Sequence, residues 1–461
     1  TFYLTPEDYG ITNLIGSFSS VASFIIAFSL YSAIVRFFVD YKNDWAKLKR
    51  FYGTIVTFVS LSGFVFVLFM FIFRELLITW FFKGIPFYPI VVIALLSLTF
   101  ACLHTVHQSI LRGMQAGKKL TAINLTVFAL QVGFTIIFIG ALKLGATGVL
   151  LASLVINFIY VGYMLYDLKK NNLVTFCLDK IMLGEALKYS IPLMPHNLST
   201  SIASFAARIF INNSATLAVV GLYSIAWQFG AIIDLIQSSV NQAFAPWFYD
   251  LMKQGGDSAK KDAVSLSKLL LIIYSLVYMG IGLFSQEVIM LMTNERYFMA
   301  WTVIPILVVA FSVKSIYYFY VNILFYYKQA ANKIFISTIT GSMADIILAS
   351  ILVKYYGMYG AAVAFLVAKI IVISIVIIMS KIYDDVGYRV TDMLKIIIPS
   401  LLFMGIGLYF SYTQYLTTFS WMNLIYKTSV LLVYLAFIYL TNRKNISRLV
   451  KSGRIQQYLR R

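Results

Sequence analysis

The chain has 461 residues, of which 61% are hydrophobic and only 12% are charged, about half the charged fraction of a typical soluble protein. This composition excludes a soluble globular protein and indicates a polytopic membrane protein. Lysine and arginine outnumber aspartate and glutamate by 37 to 18, an excess that cytoplasmic loops explain better than nucleic-acid binding, because no soluble basic domain is present. The two cysteines, Cys102 and Cys177, have neither disulfide nor metal-ligand spacing.

Thirteen apolar runs are long enough to cross a bilayer, each crossing requiring about 20 residues. Their length and their richness in helix-forming apolar residues favour helices over a barrel, so we predict an all-α membrane protein. In chain order the runs cover residues 11–35, 51–73, 88–110, 121–142, 145–165, 190–211, 221–245, 266–285, 301–327, 334–353, 360–380, 394–415 and 422–440.

The distribution of basic residues predicts the orientation of these runs. Alternate connections are rich in lysine and arginine, which places them and the C-terminus in the cytoplasm. The connection at 381–393 fits poorly, because its acidic and basic residues cancel. Residues 1–8 would then lie outside, and a chain that begins outside without a signal sequence is expected to lack one leading span, for a total of fourteen. The basic connections are 41–50, 111–120, 169–188, 253–261, 328–333 and the tail after 442.

An internal repeat divides the chain into two similar halves. Asp8-Tyr9-Gly10-Ile11 matches Val219-Val220-Gly221-Leu222, and further matches keep an offset of 210–214 residues. Both halves have the same orientation, as in a parallel repeat. We therefore predict two six-helix lobes followed by two extra spans. The predicted boundaries are an N-terminal lobe at 1–165, an inter-lobe loop at 166–188, a C-terminal lobe at 189–380, two extra spans at 381–440 and a basic tail at 441–461.

The run at 190–211 carries a polar stripe. His196, Thr200, Ser204 and Arg208 recur every four residues, so they share one face of a helix. A helix in lipid has no reason to carry such a stripe unless it faces protein or water. We predict that it lines a polar cavity in which Arg208 meets an anionic substrate; the alternative is that Arg208 reaches the outer headgroups.

Other polar residues within the runs are further candidates for substrate binding, because charge at membrane depth is costly. Lys314 lies in mid-run, with Tyr318 and Asn322 on the same face. Lys369 is also in mid-run, where a lumen role and a structural pair with an acid are both open. The remaining candidates are Asn241 and Gln242, which would bind sugar hydroxyls, and Arg36, for which substrate capture at the cytoplasmic mouth competes with simple positive-inside placement.

Two acids and two histidines within the runs are candidates for ion coupling. Asp234 and Asp345 would each take up H⁺ or Na⁺, or neutralise a lysine or Arg208 as a structural pair. His104 and His107 would carry protons or serve as hydrogen-bonded packing residues. No catalytic motif, metal-ligand set or cofactor motif is present, and the outside connections are short. These features argue against an enzyme.

Three segments carry a family resemblance: LTPEDYGI near the start, LKYSIPLMPHN before the polar stripe and GLYSIAWQFG…NQAFAPWFYD after it. They resemble the Wzx-type oligosaccharide (O-unit) flippases of the multidrug/oligosaccharidyl-lipid/polysaccharide exporter (MOP) superfamily. The resemblance implies a MATE-like fold of two six-helix lobes around a cavity. The family often has an acid before the arginine of the striped helix; here that residue is Ala207.

The resemblance also implies a function. A protein of this family, in the inner membrane of a bacterium, flips an oligosaccharide linked to undecaprenyl diphosphate to the outer leaflet by alternating access. The flipped unit serves surface polysaccharide assembly such as O-antigen, with the polymerase machinery as an expected partner. Arg208, Lys314 and Arg36 would neutralise the diphosphate. The alternatives are a cation-coupled drug antiporter of the same superfamily and a membrane polysaccharide polymerase or ligase.

Overall fold

A computed structural model describes residues 3–327, 330 and 333–451 of the chain. In these ranges the backbone forms sixteen α-helices and no strand. The helices are α1 (Pro6–Ala27), α2 (Leu30–Tyr41), α3 (Trp45–Ile72), α4 (Arg74–Trp80), α5 (Val92–Gly113), α6 (Gly117–Ile136), α7 (Gly145–Lys170), α8 (Lys180–Ser190), α9 (Met194–Ser214), α10 (Leu217–Gln254), α11 (Gly256–Leu283), α12 (Ser285–Met292), α13 (Ile304–Tyr326), α14 (Ile334–Tyr383), α15 (Val390–Thr413) and α16 (Trp421–Lys451).

Eleven helical segments in the described ranges are long and apolar enough to cross a membrane. One of them, α14, has 50 residues and contains two of the predicted runs. The helix is interrupted between these runs at Gly357, whose φ of 52° suits glycine. The striped helix α9 is not among the eleven although it has 21 residues, since its polar side chains lower its mean hydropathy. The prediction of an all-α, multi-pass membrane protein is confirmed.

The first predicted run is not one continuous helix. After α1, Phe28 and Ser29 both adopt positive φ, at 47° and 56°, and α2 then starts at Leu30. Two consecutive non-glycine residues in the left-handed region redirect the chain. The run at 11–35 therefore divides into a longer helix α1 and a shorter helix α2.

The contacts group the chain into two compact units, Thr1–Gly221 and Leu222–Arg461. These contacts place α9 in the first unit, whereas the repeat assigns it to the C-terminal lobe. The lobe boundaries therefore stay a prediction.

In the first unit, α5 is the central helix and packs against α1, α2, α3, α6 and α7. By contrast α6 contains no buried residue, and its main packing partners in the described structure are α5, α7 and the residues that follow it. A capping box between Thr5 and Asp8 starts α1. The Asp8 carboxylate also accepts a hydrogen bond of 2.9 Å from the Ala146 amide and so attaches α1 to the start of α7.

Two glycines matched by the repeat contact each other within this unit. A Cβ on Gly10 would lie 1.9 Å from the Leu217 carbonyl oxygen, and a Cβ on Gly221 would lie 2.0 Å from that of Pro6. The two contacts are equivalent under the repeat, because Gly10 and Pro6 match Gly221 and Leu217 at the same offset of 211 residues. The start of α1 and the start of α10 therefore cross at a distance that only glycine allows.

In the second unit, α13 is the central helix: fifteen of its 23 residues are buried, whereas α6 in the first unit has none. It packs against α14, α11 and α15. The last helix, α16, is attached to α12 by a buried ion pair in which Lys427 Nζ lies 2.7 Å from Glu287 Oε1. Asn423, one turn earlier on α16, donates a hydrogen bond of 3.3 Å to Gln286.

The connection at 381–393, which fitted the charge pattern poorly, has two of its three acids paired with α11. Lys260 lies 2.6 Å from Asp384, and Lys268 lies 2.9 Å from Asp392. Lys260 lies in the basic connection at 253–261, and Lys268 lies eight residues further along α11. These two ion pairs show that the connections at 381–393 and 253–261 lie at the same end of the helices.

Candidate functional site

A polar pocket of about 430 Å³ lies within the first unit, mainly between α1 and α9. Six of its lining residues come from α1, two from α9 and one from α7. Seven of the nine have polar side chains and none is an acid. The lining residues are Tyr9, Thr12, Asn13, Gly16, Ser17, Ser20, Val149, Ser204 and Arg208.

The α1 wall of the pocket is a face of small polar side chains spaced three or four residues apart, as one face of a helix requires. Thr12, Ser17 and Ser20 donate their hydroxyl hydrogens to backbone carbonyls of their own helix, at 2.8–3.1 Å. Each hydroxyl oxygen retains acceptor capacity. The α1 wall therefore presents mainly hydrogen-bond acceptors to the pocket.

The α9 wall supplies the charge. Arg208 is only 6% exposed, and its Nη1 donates to the Ser204 carbonyl at 2.9 Å and to Ser204 Oγ at 2.7 Å. On another side of α9, the Phe205 ring lies 5.7 Å from both Phe18 and Phe81. These aromatic contacts fix the rotation of α9 so that Ser204 and Arg208 face the pocket.

The structure divides the predicted stripe into two parts. Ser204 and Arg208 line the pocket. His196 and Thr200, near the start of α9, are exposed and are not among the lining residues. The α1 wall was missed by sequence reasoning, and its only signal was the spacing of Thr12, Ser17 and neighbouring polar residues.

In the second unit, two predicted residues with different assigned roles form one ion pair. Lys314 Nζ lies 2.6 Å from Asp234 Oδ1, with side chains 22% and 33% exposed. The Tyr318 hydroxyl donates to the same oxygen at 3.1 Å. One turn further along α13, Asn322 donates to Asn241 at 2.8 Å. The polar face predicted on α13 is thus turned towards α10.

A second acid and lysine lie near this pair. Lys369 Nζ lies 4.6 Å above the Phe365 ring and experiences the charges of Lys314, Asp345 and Asp234. Among the described residues, neither Lys369 nor Asp345 has an ion-pair partner within 4.0 Å. Two acids and two lysines therefore lie in this part of α10, α13 and α14, and one acid and one lysine of them form an ion pair.

Two predicted substrate residues have exposed positions outside the pocket. Arg36 pairs with Asp40 one turn away on α2, at 2.7 Å, and half of its side chain is exposed. This surface pair gives Arg36 an ordinary structural explanation. Gln242, on α10, is exposed.

The two histidines belong to a buried network in the first unit. His104 hydrogen-bonds Asn157, and His107 contacts Tyr160 and Asp167. Sequence analysis placed Asp167 at the start of the inter-lobe loop, whereas the structure places it inside α7. No group of acids, histidines and cysteines in the described part of the chain has a geometry suited to a metal ion.

The fold is similar to that of several solved membrane transporters. The lipid II flippase MurJ, in an inward closed conformation, matches with a TM-score of 0.68 at 20% identity, over 96% of this chain and 98% of that chain. An inward-facing multidrug resistance MATE transporter of the MOP superfamily matches with a TM-score of 0.64 at 16% identity, over 85% and 92% of the two chains. A MOP superfamily transporter from Pyrococcus furiosus matches with a TM-score of 0.52 at 17% identity, over 81% and 85%.

These similarities confirm the predicted MATE-like fold. No curated protein matches the sequence. The model of a family described as polysaccharide biosynthesis protein matches residues 3–297, which is more than half of the chain. The chain therefore belongs to this polysaccharide biosynthesis protein family.

Proposed function

We propose that the protein is a flippase that moves a polyprenyl-diphosphate-linked oligosaccharide from the cytoplasmic to the outer leaflet of a bacterial inner membrane. The observation that carries this proposal is the pocket between α1 and α9, where buried Arg208 lies among hydroxyl and amide side chains. Such a pocket combines a cation for a phosphate with acceptors for sugar hydroxyls. The family and the fold of the lipid II flippase MurJ support the same substrate class.

The chemistry of the pocket argues for an anionic ligand. A guanidinium recognises phosphate oxygens through several N–H donors in one plane, and this interaction is strengthened where water is scarce. No acid lines the pocket to attract a cation. We assign undecaprenyl diphosphate, which has two phosphates next to the first sugar, as the lipid carrier. The flipped lipid-linked oligosaccharide would pass to the polysaccharide polymerase.

Lys314, in the second unit, is a separate candidate for contacting a phosphate. In the present structure its ammonium group is held by Asp234. Protonation of Asp234, or binding of Na⁺ to it, would release Lys314 to a phosphate. Substrate binding and ion uptake would then favour each other, since both separate the same pair.

A cation-coupled drug antiporter is the second candidate. It is favoured by the two acids Asp234 and Asp345 at membrane depth in the second unit and by the similarity to a MATE transporter. Because Asp234 already has a cationic partner at 2.6 Å, it is less suited to attract a cationic drug than an unpaired acid would be.

The location of lipid-linked repeat units in cells without the protein distinguishes the candidates. A flippase predicts unpolymerised units confined to the inner leaflet, with export restored by the wild-type gene. Units accumulating in the outer leaflet would instead indicate a polymerase or ligase. Normal polysaccharide with altered drug sensitivity would indicate an antiporter and contradict the proposed function.

A further inference from the structure

A buried carboxylate in the first unit is shared by two cationic or potentially cationic groups. Asp167, near the end of α7, is 5% exposed. Its two oxygens lie 2.5 Å and 2.7 Å from Lys119 Nζ. His107 Nε2 lies 3.1 Å from Oδ2, and Asn171 donates to Oδ1 at 2.9 Å. The carboxylate therefore joins α5, α6 and α7.

The surroundings of His107 allow it to take up a second proton in place. Its side chain is fully buried, and Nε2 faces the Asp167 carboxylate, so that nitrogen carries the hydrogen of the neutral ring. Nδ1 lies 2.8 Å from the Tyr160 hydroxyl, which donates to it. A tyrosine hydroxyl also accepts hydrogen bonds. Protonation of Nδ1 would therefore reverse one hydrogen bond and break none.

His104 cannot take up a second proton in this way, and it therefore serves as a matched reference. Its Nδ1 lies 3.3 Å from the Asn157 amide oxygen, and its Nε2 lies 3.0 Å from the Gln108 amide nitrogen. The Gln108 amide nitrogen also donates to the Asn124 side-chain oxygen at 2.8 Å, and this hydrogen bond fixes the orientation of the Gln108 amide. A doubly protonated His104 would set an N–H against an N–H. This network therefore favours neutral His104.

The charged and titratable groups that face His107 come from its own helix and from two neighbours. They are His104 on α5, Lys119 on α6, and Tyr160, Tyr163 and Asp167 on α7. In the described structure, the charged groups that act most strongly on His107 are Asp167, Lys119 and His104. None of them belongs to α1, α2 or α3, the other helices packed on α5.

We propose that His107 is a proton-binding site that competes with Lys119 for Asp167 and so controls the attachment of α6. With neutral His107, Lys119 balances the charge of Asp167. A proton on His107 gives the cluster two cations and one anion at low solvent exposure, which is unfavourable. Lys119, with 36% of its side chain exposed, is the group that returns to water, because His107 and Asp167 are enclosed.

Release of Lys119 would loosen the first turn of α6. This helix contains no buried residue, so apolar packing holds it weakly. Two other hydrogen bonds between its side chains and neighbouring helices lie further along α6: Gln108 donates to Asn124 at 2.8 Å, and Gln131 donates to Ser153 at 3.4 Å. The proposal does not depend on the identity of the transported substrate, since its ligand is the proton.

Hydrogen exchange of the full-length protein in lipid nanodiscs between pH 5 and pH 8 tests the proposal. After correction for the intrinsic pH dependence of exchange, amides of residues 120–124 should exchange about tenfold faster at the acidic end, the equivalent of one charge-assisted hydrogen bond. His107→Gln should keep slow exchange across the range. Lys119→Gln should exchange fast at every pH.

His104→Gln is the control and should retain the wild-type response to pH. Corrected exchange that does not change with pH in the wild type would overturn the proposal. A normal pH response in His107→Gln, or its loss in His104→Gln, would also overturn it. If His107→Gln does not fold, the wild-type titration and the Lys119→Gln comparison still decide the outcome.

Discussion

Replacing Asp234 by asparagine should increase the affinity of the protein for a polyprenyl diphosphate. In the wild type, Lys314 is engaged by the Asp234 carboxylate at 2.6 Å, and Tyr318 donates to the same oxygen at 3.1 Å. A phosphate must separate or share this pair before it can bind Lys314. Asparagine is nearly isosteric and keeps an oxygen for Tyr318, but it removes the negative charge.

The size of the effect follows from the exposure of the pair. A hydrogen bond to a charged group contributes about 1.5–3 kcal/mol when it is well protected. The side chains of Lys314 and Asp234 are 22% and 33% exposed, so water screens part of this energy. We therefore expect about 1–1.5 kcal/mol, which corresponds to roughly a fivefold to tenfold gain in affinity.

The assay is titration of a short-chain polyprenyl diphosphate into the full-length protein in nanodiscs. Asp345→Asn is the control, because Asp345 has no ion-pair partner within 4.0 Å among the described residues. The affinity of this variant for the polyprenyl diphosphate should change less than about twofold. The double variant Asp234→Asn/Lys314→Ala should lose the gain. Unchanged or weaker binding by Asp234→Asn, or an equal gain in Asp345→Asn, would refute the reasoning.

Two further predictions concern how the helices are held. Lys427→Met should destabilise the protein by about 3–5 kcal/mol, since it leaves Glu287 charged and largely buried. In thermal unfolding, adding Glu287→Gln to this variant should recover most of the lost stability. Equal stability of the single and double variants would contradict this prediction. Gly53→Ala should cost about 1–3 kcal/mol and accelerate proteolysis of the 171–180 connection, because its Cβ would lie 1.8 Å from the Thr175 carbonyl oxygen. Gly184→Ala, where a Cβ meets nothing within 4 Å, should leave cleavage unchanged.

The helical architecture was predictable because apolar length alone marks a membrane span. The gap between the runs at 334–353 and 360–380 also anticipated the break at Gly357. The break at Phe28 and Ser29 was not predictable, since neither glycine nor proline marks it. Its positive φ angles depend on tertiary packing, which no local pattern reports.

The candidate site was predictable on one wall only. The four-residue period on α9 identified Ser204 and Arg208, because polar residues stand out against lipid. The facing residues on α1, such as Thr12 and Ser17, are small, and their hydroxyls donate hydrogen bonds to backbone carbonyls of the same helix. They therefore disturb the apolar run too little to be recognised.

The partner of each charged residue could not be predicted, although a lysine was one of the alternatives for Asp234. Lys314 and Asp234 are 80 residues apart, and Lys119 and Asp167 are 48 residues apart. The register and rotation of each helix decide which charges meet, and a single sequence does not contain them in readable form. Two residues predicted to have separate roles, Lys314 and Asp234, thus proved to be one ion pair.

Flipping by the purified protein in proteoliposomes is the measurement that tests the central claim most directly. A fluorescent lipid-linked oligosaccharide is followed by chemical quenching from outside. Wild-type protein should move it between leaflets, and Arg208→Ala should slow this movement by about tenfold to a hundredfold, as expected for a lost charged hydrogen bond. Arg208→Lys should restore part of the rate, and Arg74→Ala, a control whose side chain is 49% exposed, should retain it. Flipping by Arg208→Ala at the wild-type rate, or no flipping by the wild type, would contradict the account.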